Sequence, residues 1–457
     1  MHRFIRSLVV IAPAIVCLCL PARAQSSGND QFPLPENYFP ALKDLIDTAA
    51  KQSPRVIARN TENAVAEANR ISARSGQLPS LGGYYSFYPW TRDLRADLPE
   101  STGVKKTAYN LSITQPLFHW GALRDNTRIG ELQKRITEGQ SAEAFRLLVD
   151  EIRAQYLQII VNKSALARSR FNQTIADDQL ALARSKLEKK VIAEADMFAP
   201  TITAEQARLA ADRAADDYEN SRVYLGKLCG LPPIPDEQIP TEVPAVTPAS
   251  SALQSVTAEF AGQTEINNYS LQNVRDQIET EKLNYHVANT RLRPKVNLVV
   301  GTSQDEQNYA LNSVKYKVQS YFAGVTVNWS IFDGFATRSA KQVSLARRRQ
   351  LELSYRDQTA DTIAAVKTQM RQLEFAARNL AIVERLLGSA GDNLKARKDD
   401  MARGIASDAE VNTAQLGLYD WQLAAYGARN DYMMKVSKLL SATMKDPALQ
   451  NLPSQRR

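Results

Sequence analysis

The sequence holds three cysteines and three histidines in 457 residues. Cys17 and Cys19 fall inside an N-terminal segment that reads as an export signal: Arg3 and Arg6, an apolar run over 8–20, and Ala22-Arg23-Ala24 as a small-x-small cleavage site before Gln25. Neither follows the pattern of a lipid-modified cysteine. Cleavage leaves Cys229 alone, so no intrachain disulfide can form, and an exported chain of this kind must be held by packing or by association. The apolar run is too short to cross a bilayer as a helix, and no spanning helix follows it. Histidine is scarce too: His2 belongs to the signal, and His119 and His286 have no cysteine or acid at metal-ligand spacing. A Gly-rich phosphate loop and a nucleophile elbow are both missing. No enzyme, metal or cofactor is expected. The net charge of +8 includes three signal arginines and is interspersed along the chain, which excludes a nucleic-acid face.

Proline is absent, and glycine nearly so, from two long stretches, 121–190 and 335–400. As helices each would be about 100 Å long at ~1.5 Å per residue. In the second, Val366, Leu373, Leu380, Leu387, Leu394 and Met401 recur every seventh residue; in the first, Ile152, Ile159, Leu166, Leu180 and Leu187 keep one phase, with Gln173 the exception. A seven-residue stripe predicts packed, left-handedly supercoiled helices. Each long helix turns back through a short segment, 191–196 or 404–408, into a shorter one over 196–229 or 407–440. Helices at 54–75 and about 265–291 supply the length left uncovered, stacked end to end on the returning helices.

The two stretches belong to one repeat. Sliding the sequence by 214 positions lays Ile113 on Val327, Leu117 on Ile331, Phe118 on Phe332, Arg124 on Arg338, Tyr218 on Tyr432 and Leu225 on Leu439. An ungapped register of more than a hundred residues marks an internal duplication.

Before each long helix lies a hairpin pattern. Residues 81–90 are dense in aromatics, and at 108–118 Tyr109, Leu111 and Ile113 alternate with Asn110, Ser112 and Thr114. Residues 295–303 and 321–332 repeat this. A soluble sandwich would give the same alternation. The aromatics Tyr84, Tyr88, Trp90, Tyr109, Tyr321 and Trp329 instead suggest a bilayer interface, where Tyr and Trp concentrate. Four strands cannot close a barrel, and open edges are prohibitive in lipid, so strands must be pooled between chains; three copies would give about twelve. The expected fold is thus α plus transmembrane β, four membrane strands per chain in a trimeric 12-strand barrel continued by a coiled-coil helical tunnel.

The expected divisions are a signal peptide (1–24), an extended N-terminal segment (25–40), a first repeat (41–230), a proline-rich linker (231–250), a second repeat (251–444) and an unstructured tail (445–457).

Leu117-Phe118-His119-Trp120-Gly121 with its echo Ile331-Phe332-Asp333-Gly334, the strand openings Leu78-Pro79-Ser80-Leu81 and Arg293-Pro294-Lys295-Val296, and the turn Arg403-Gly404-Ile405-Ala406-Ser407 carry a resemblance to the TolC-like outer-membrane efflux channels. The resemblance covers essentially the mature chain. It implies a homotrimer in outer-membrane lipid, with a periplasmic tunnel that works with a periplasmic membrane-fusion adaptor protein and an inner-membrane transporter, in efflux or type I secretion. It also implies a periplasmic gate at the helix turns, where Glu410 matches the pore-narrowing acid and Asp196 is its counterpart, with Asp408 nearby. The next acid of that pattern is Thr413 here. Arg403, Gly404, Ala406 and Ser407 form the turn that an adaptor would grip. Acids at a helix start also commonly complement the macrodipole, which is the plainer reading of Glu410 and Asp408. The rival architecture is a periplasmic coiled-coil adaptor or scaffold without a barrel.

Overall fold

The computed structural model describes residues 32–91, 104–248, 251–262, 267–309 and 314–451. The signal at 1–24 and most of the loop between the first two strands lie outside them. In chain order the elements are α1 (Pro35–Tyr38), α2 (Pro40–Gln52), α3 (Pro54–Ser75), β1 (Ser80–Thr91), β2 (Val104–Phe118), α4 (Ala122–Glu188), α5 (Phe198–Cys229), α6 (Ser251–Ala261), α7 (Tyr269–Asn289), β3 (Lys295–Tyr309), β4 (Val314–Asn328), α8 (Ala336–Ala402) and α9 (Asp408–Ala442).

Helices α4 and α8 have 67 residues each. Each therefore runs about 100 Å. In the half nearer the turns α4 packs on α5 and α8 on α9; in the half nearer the sheet their partners are α3 and α7. Helix α4 also lies against α7 and α9, which joins the repeats. The stacking of α3 on α5 is visible at Glu151 of α4, which accepts from Arg55 Nη1 of α3 and from Tyr224 OH of α5, each at 2.5 Å. At that junction Gly230 has φ +74°, and a Cβ there would sit 2.2 Å from the Gln52 carbonyl oxygen, so only glycine fits.

The core lies midway along the helices. Leu148, Ile152, Ile159 and Ile160 of α4, Leu225 and Cys229 of α5, Met433, Val436 and Leu440 of α9, and Leu42 and Ala49 of α2 are all buried there. Burial pushes the Cys229 thiol up to about 11, so it behaves as a small hydrophobe. The proline-rich linker covers this core: Ile234, Ile239, Val243 and Val246 point inward, and Tyr432 OH donates to the Pro248 carbonyl at 2.5 Å.

Residues 32–40 and 445–451 are ordered where the sequence suggested otherwise, and the rest of those two segments, 25–31 and 452–457, lies outside the described residues. The N-terminal segment is not extended throughout: Pro35 and Pro40 take first-turn positions of α1 and α2, where a missing N–H costs nothing, and Leu34 and Phe39 are buried. After Met444, a short 3-10 helix (Pro447–Asn451) packs Leu449 into the core. A polar contact tethers both ends. The fully buried guanidinium of Arg153 bonds Glu36 Oε1 at 2.7 Å, Asp446 Oδ2 at 2.5 Å and Ser437 Oγ at 2.7 Å. Helix α6, absent from the sequence reading, buries Leu253, Val256 and Phe260, whose helical spacing was there to be read.

Candidate functional site

The four strands form one antiparallel sheet in the order β1-β2-β3-β4. The third strand continues past 303 to Tyr309, and β4 begins at Val314 and ends at Asn328, opposite Lys295. Trp329, Ile331 and Phe332, expected inside the last strand, therefore lie just beyond it, because the partner strand has run out. Paired rows divide the faces. Leu81, Ile113, Val300 and Ala323 form one row, and Gly83, Leu111, Thr302 and Tyr321 the next on the same face, with Leu298 and Val325 continuing it. The other face carries Asn110, Ser303 and Ser320 with Tyr84, then Ser112, Gly301 and Phe322. One face is thus mainly apolar and the other mainly polar.

The six aromatics named from sequence do not form one belt. Tyr109 and Tyr321 stand on the apolar face, and both hydroxyls accept from Gln319 Nε2, at 3.1 and 2.9 Å. Tyr84 and Tyr88 stand on the polar face, in register with Asn110 and Lys106, and Trp90 follows at a bulge. Trp329 is exposed at the helix end of the sheet, where its Nε1 donates to the Leu292 carbonyl at 3.0 Å. Trp120 Nε1 does the same to the Pro294 carbonyl at 2.8 Å. These two bonds fix the corner between sheet and helices.

At the opposite end the two helix turns repeat each other. Helix α8 closes with Gly404 N–H donating to the Met401 carbonyl and Ile405 N–H to that of Asp400, both at 2.9 Å. Helix α4 closes with Lys190 N–H to Leu187 and Val191 N–H to Lys186, both at 2.8 Å. Both are Schellman closures. Across each turn an acid caps the next helix. Ser407 N–H donates to Glu410 Oε2 at 2.9 Å, and Glu410 N–H to Ser407 Oγ at 3.4 Å, a reciprocal capping box. Ala193 N–H donates to Asp196 Oδ2 at 2.9 Å, in a 3-10 turn (Glu194–Met197). Asp408 is exposed in the first turn of α9. Arg403 reaches its own helix, with Nη2 3.4 Å from Asp400 Oδ1, and Ala406 is half-buried.

Glu410 also lines a groove of about 530 Å³ between α8 and α9, with Asn393, Arg397, Thr413 and Trp421. The sequence reading missed the apolar residues at these turns, Val191 and Ile405, which are 67% and 72% exposed. Their signal is an apolar residue at the same place in each polar turn. Among the described residues no group of His, Cys, Asp and Glu could hold a metal ion, and no helix is long and apolar enough to cross a membrane.

A membrane sheet at one end of duplicated coiled-coil helices, with turns at the other, defines an outer-membrane channel subunit. The chain belongs to the outer membrane efflux protein family, whose model matches residues 45–231 and 261–443. It is 20% identical over 404 residues to the alkaline protease secretion protein AprF of Pseudomonas aeruginosa, spanning 87% of this chain and 83% of that one. Its fold is similar to the Campylobacter jejuni CmeC outer membrane channel (TM-score 0.70, 12% identity, 98% of this chain and 97% of that chain). It is also similar to the open state of the Neisseria gonorrhoeae MtrE outer membrane channel (TM-score 0.64, 15% identity, 91% and 92%). The protein is therefore one of the outer membrane, its helices extending into the periplasm. The fold is α plus transmembrane β, with four strands per chain pooled between copies into a barrel. The alternative of an adaptor without a barrel falls away.

Proposed function

We propose that three copies of the chain assemble a passive export duct that receives cargo from a periplasmic adaptor and an inner-membrane transporter, and that opens at the helix turns. The observation that carries this reading is the sheet: four strands with one apolar face, and β1 and β4 paired on one side only. In lipid such edges must find strands on other copies, and twelve strands leave a lumen. The spacing of the aromatics supports it. Trp329 and the row of Gln319 and Tyr109 are ten residues apart, about 33 Å along a strand, or about 23 Å of height at a tilt near 45°. That fits an apolar band of about 25 Å between two aromatic levels. Tyr84 and Tyr88 then face the lumen.

Glu410 and Asp196 stand at the tip, where three symmetry-related carboxylates would attract cations and repel anions. Asp408 lies beside them, and Arg403, Gly404, Ala406 and Ser407 present the turn to an adaptor. The similarity to the alkaline protease secretion protein AprF fits secretion, and membership of the outer membrane efflux protein family fits efflux. The test is the mass of detergent-extracted protein followed by conductance in a planar bilayer. A species near three chains that conducts is expected; a monomer without conductance would overturn the duct. For the gate, Glu410→Gln keeps an acceptor for Ser407 N–H but removes the charge. Reduced cation preference is expected, and an unchanged preference removes Glu410 from the constriction.

A further inference from the structure

Within one chain the repeats meet where α4 lies antiparallel to α9. The register there is fixed by observed contacts: Arg168 Nε pairs with Asp420 Oδ1 at 2.5 Å, the rings of Phe171 and Tyr419 stand 5.6 Å apart, and Asn430 Nδ2 donates to the Leu157 carbonyl at 3.0 Å. Advancing α4 by the repeat length gives α8, and moving α9 back by it gives α5. In the turn-side half, α5 and α8 are the two outer helices of the protomer, packed on α4 and α9 respectively. The contact equivalent to α4 with α9 is therefore α8 of one copy with α5 of the next.

Carried across at the observed register, three positions change character together. Phe171 and Tyr419 become Arg385 and Glu205. Ser164 and Tyr426, both buried, become Arg378 and Asp212, and the buried Leu157 and Met433 become Arg371 and Glu219. On α8 the three arginines recur every seventh residue on the face opposite the buried Leu373 and Leu380, and all three are exposed. On α5 the three acids recur every seventh residue on one flank, also exposed. One position along, Leu386 comes opposite Ile202. Within the chain, Arg371 reaches only Thr368 Oγ1 at 3.3 Å and Arg385 only the Ala381 carbonyl at 3.2 Å, while Glu219 pairs with Arg222 at 2.6 Å. Arg378, Glu205 and Asp212 have no ion-pair partner among the described residues.

We propose that Arg371 with Glu219, Arg378 with Asp212, and Arg385 with Glu205 form a three-rung ionic ladder between neighbouring copies of this chain. The ladder rests on the trimeric reading above and gives its seams a chemistry. At the three compared positions the seam inside a protomer holds Phe171 with Tyr419, Ser164 with Tyr426 and Leu157 with Met433, with the one ion pair of Arg168 and Asp420 beside them, whereas the seam between protomers is ionic at all three. Exposed ion pairs are individually weak and screened by salt, so the intermolecular seams are the ones that yield when the tunnel widens. Opposite charges at matched heptad positions also set which helices meet and at what height.

The test uses full-length trimer in detergent, where Cys229 is buried. Arg378→Cys with Asp212→Cys should cross-link into dimers and trimers with a short bismaleimide. Arg378→Cys with Glu205→Cys, displaced by about 10 Å along the helix, should not. In parallel, Arg378→Glu should lower the melting temperature of the trimer at low salt, and adding Asp212→Arg should restore it. A wild-type trimer with equal or no cross-linking in both pairs, or with no rescue, overturns the ladder and leaves the trimer standing. A wild-type protein that is monomeric by native mass overturns the trimeric reading and the ladder with it.

Discussion

Lys190 and Gly404 occupy the same left-handed backbone position at the two helix turns, at φ +57° and +72°, one repeat length apart. The closures they make are hydrogen-bonded alike, so the second turn obtains with glycine what the first obtains by holding a lysine in a conformation that costs about 1 kcal/mol. Nothing lies within 4 Å of a Cβ built on Gly404, so the cost there is purely that of the backbone. Lys190→Gly should therefore raise the melting temperature of the trimer, and Gly404→Ala should lower it, each by an amount corresponding to roughly 1 kcal/mol. Scanning calorimetry in detergent reads both, and a fall for Lys190→Gly or a rise for Gly404→Ala would refute the equivalence of the turns.

Val325 and Thr326 are neighbours in β4 that point to opposite faces of the sheet, in rows with Leu298 and Asn297. If the apolar face meets lipid, an arginine at 325 costs about 2–4 kcal/mol near the bilayer midplane. At 326 the same arginine reaches a wet lumen. Val325→Arg should abolish recovery of trimer from the outer-membrane fraction, while Thr326→Arg should assemble and shift ion selectivity. The reverse result would invert the sheet.

The duplication, the long helices and the faces of the strands were legible in the sequence because each is a periodicity, and periodicity survives without knowledge of neighbours. Tyr84 and Tyr88 show where reading stops: aromatic content suggests an interface, but only the register of β1 against Asn110 and Lys106 says which face they occupy. The ends of the chain were misjudged for a related reason. Phe39, Asp446 and Leu449 have no pattern of their own and are ordered by a core and an arginine far away in sequence. At the tip, Glu410 was identified from its position, yet the capping box with Ser407 is equally written in the Ser-x-x-Glu spacing, and the structure makes that bond.

Arg153 follows the same long-range logic: it is buried in the core and holds Glu36 and Asp446 from the two ends of the described chain. Removing one partner from a buried ionic cluster leaves uncompensated charge and costs about 3–5 kcal/mol. Arg153→Met should lower the melting temperature sharply and open the segments around Glu36 and Asp446 to limited proteolysis. Adding Glu36→Gln and Asp446→Asn should recover much of the loss. Proteolysis confined to other regions would mean that Arg153 does not tether the ends.

Asp150 belongs to the same cluster, accepting from Ser437 Oγ at 3.0 Å and lying 3.2 Å from Arg146. Burial lifts its carboxyl above the usual aspartate value, against the pull of Arg153 and Arg146. The folded chain therefore keeps this proton to a higher pH than the unfolded chain does. The stability it contributes is complete below the unfolded value of about 3.9 and is lost as the pH rises through the folded one. Asp150→Asn keeps an acceptor for Ser437 and cannot ionise. The melting temperature of the variant relative to wild type should accordingly shift in favour of the variant as the pH is raised from about 4 to 7. A constant difference across that range would show that the carboxyl is not lifted, and a shift in favour of wild type would show that the two arginines outweigh burial.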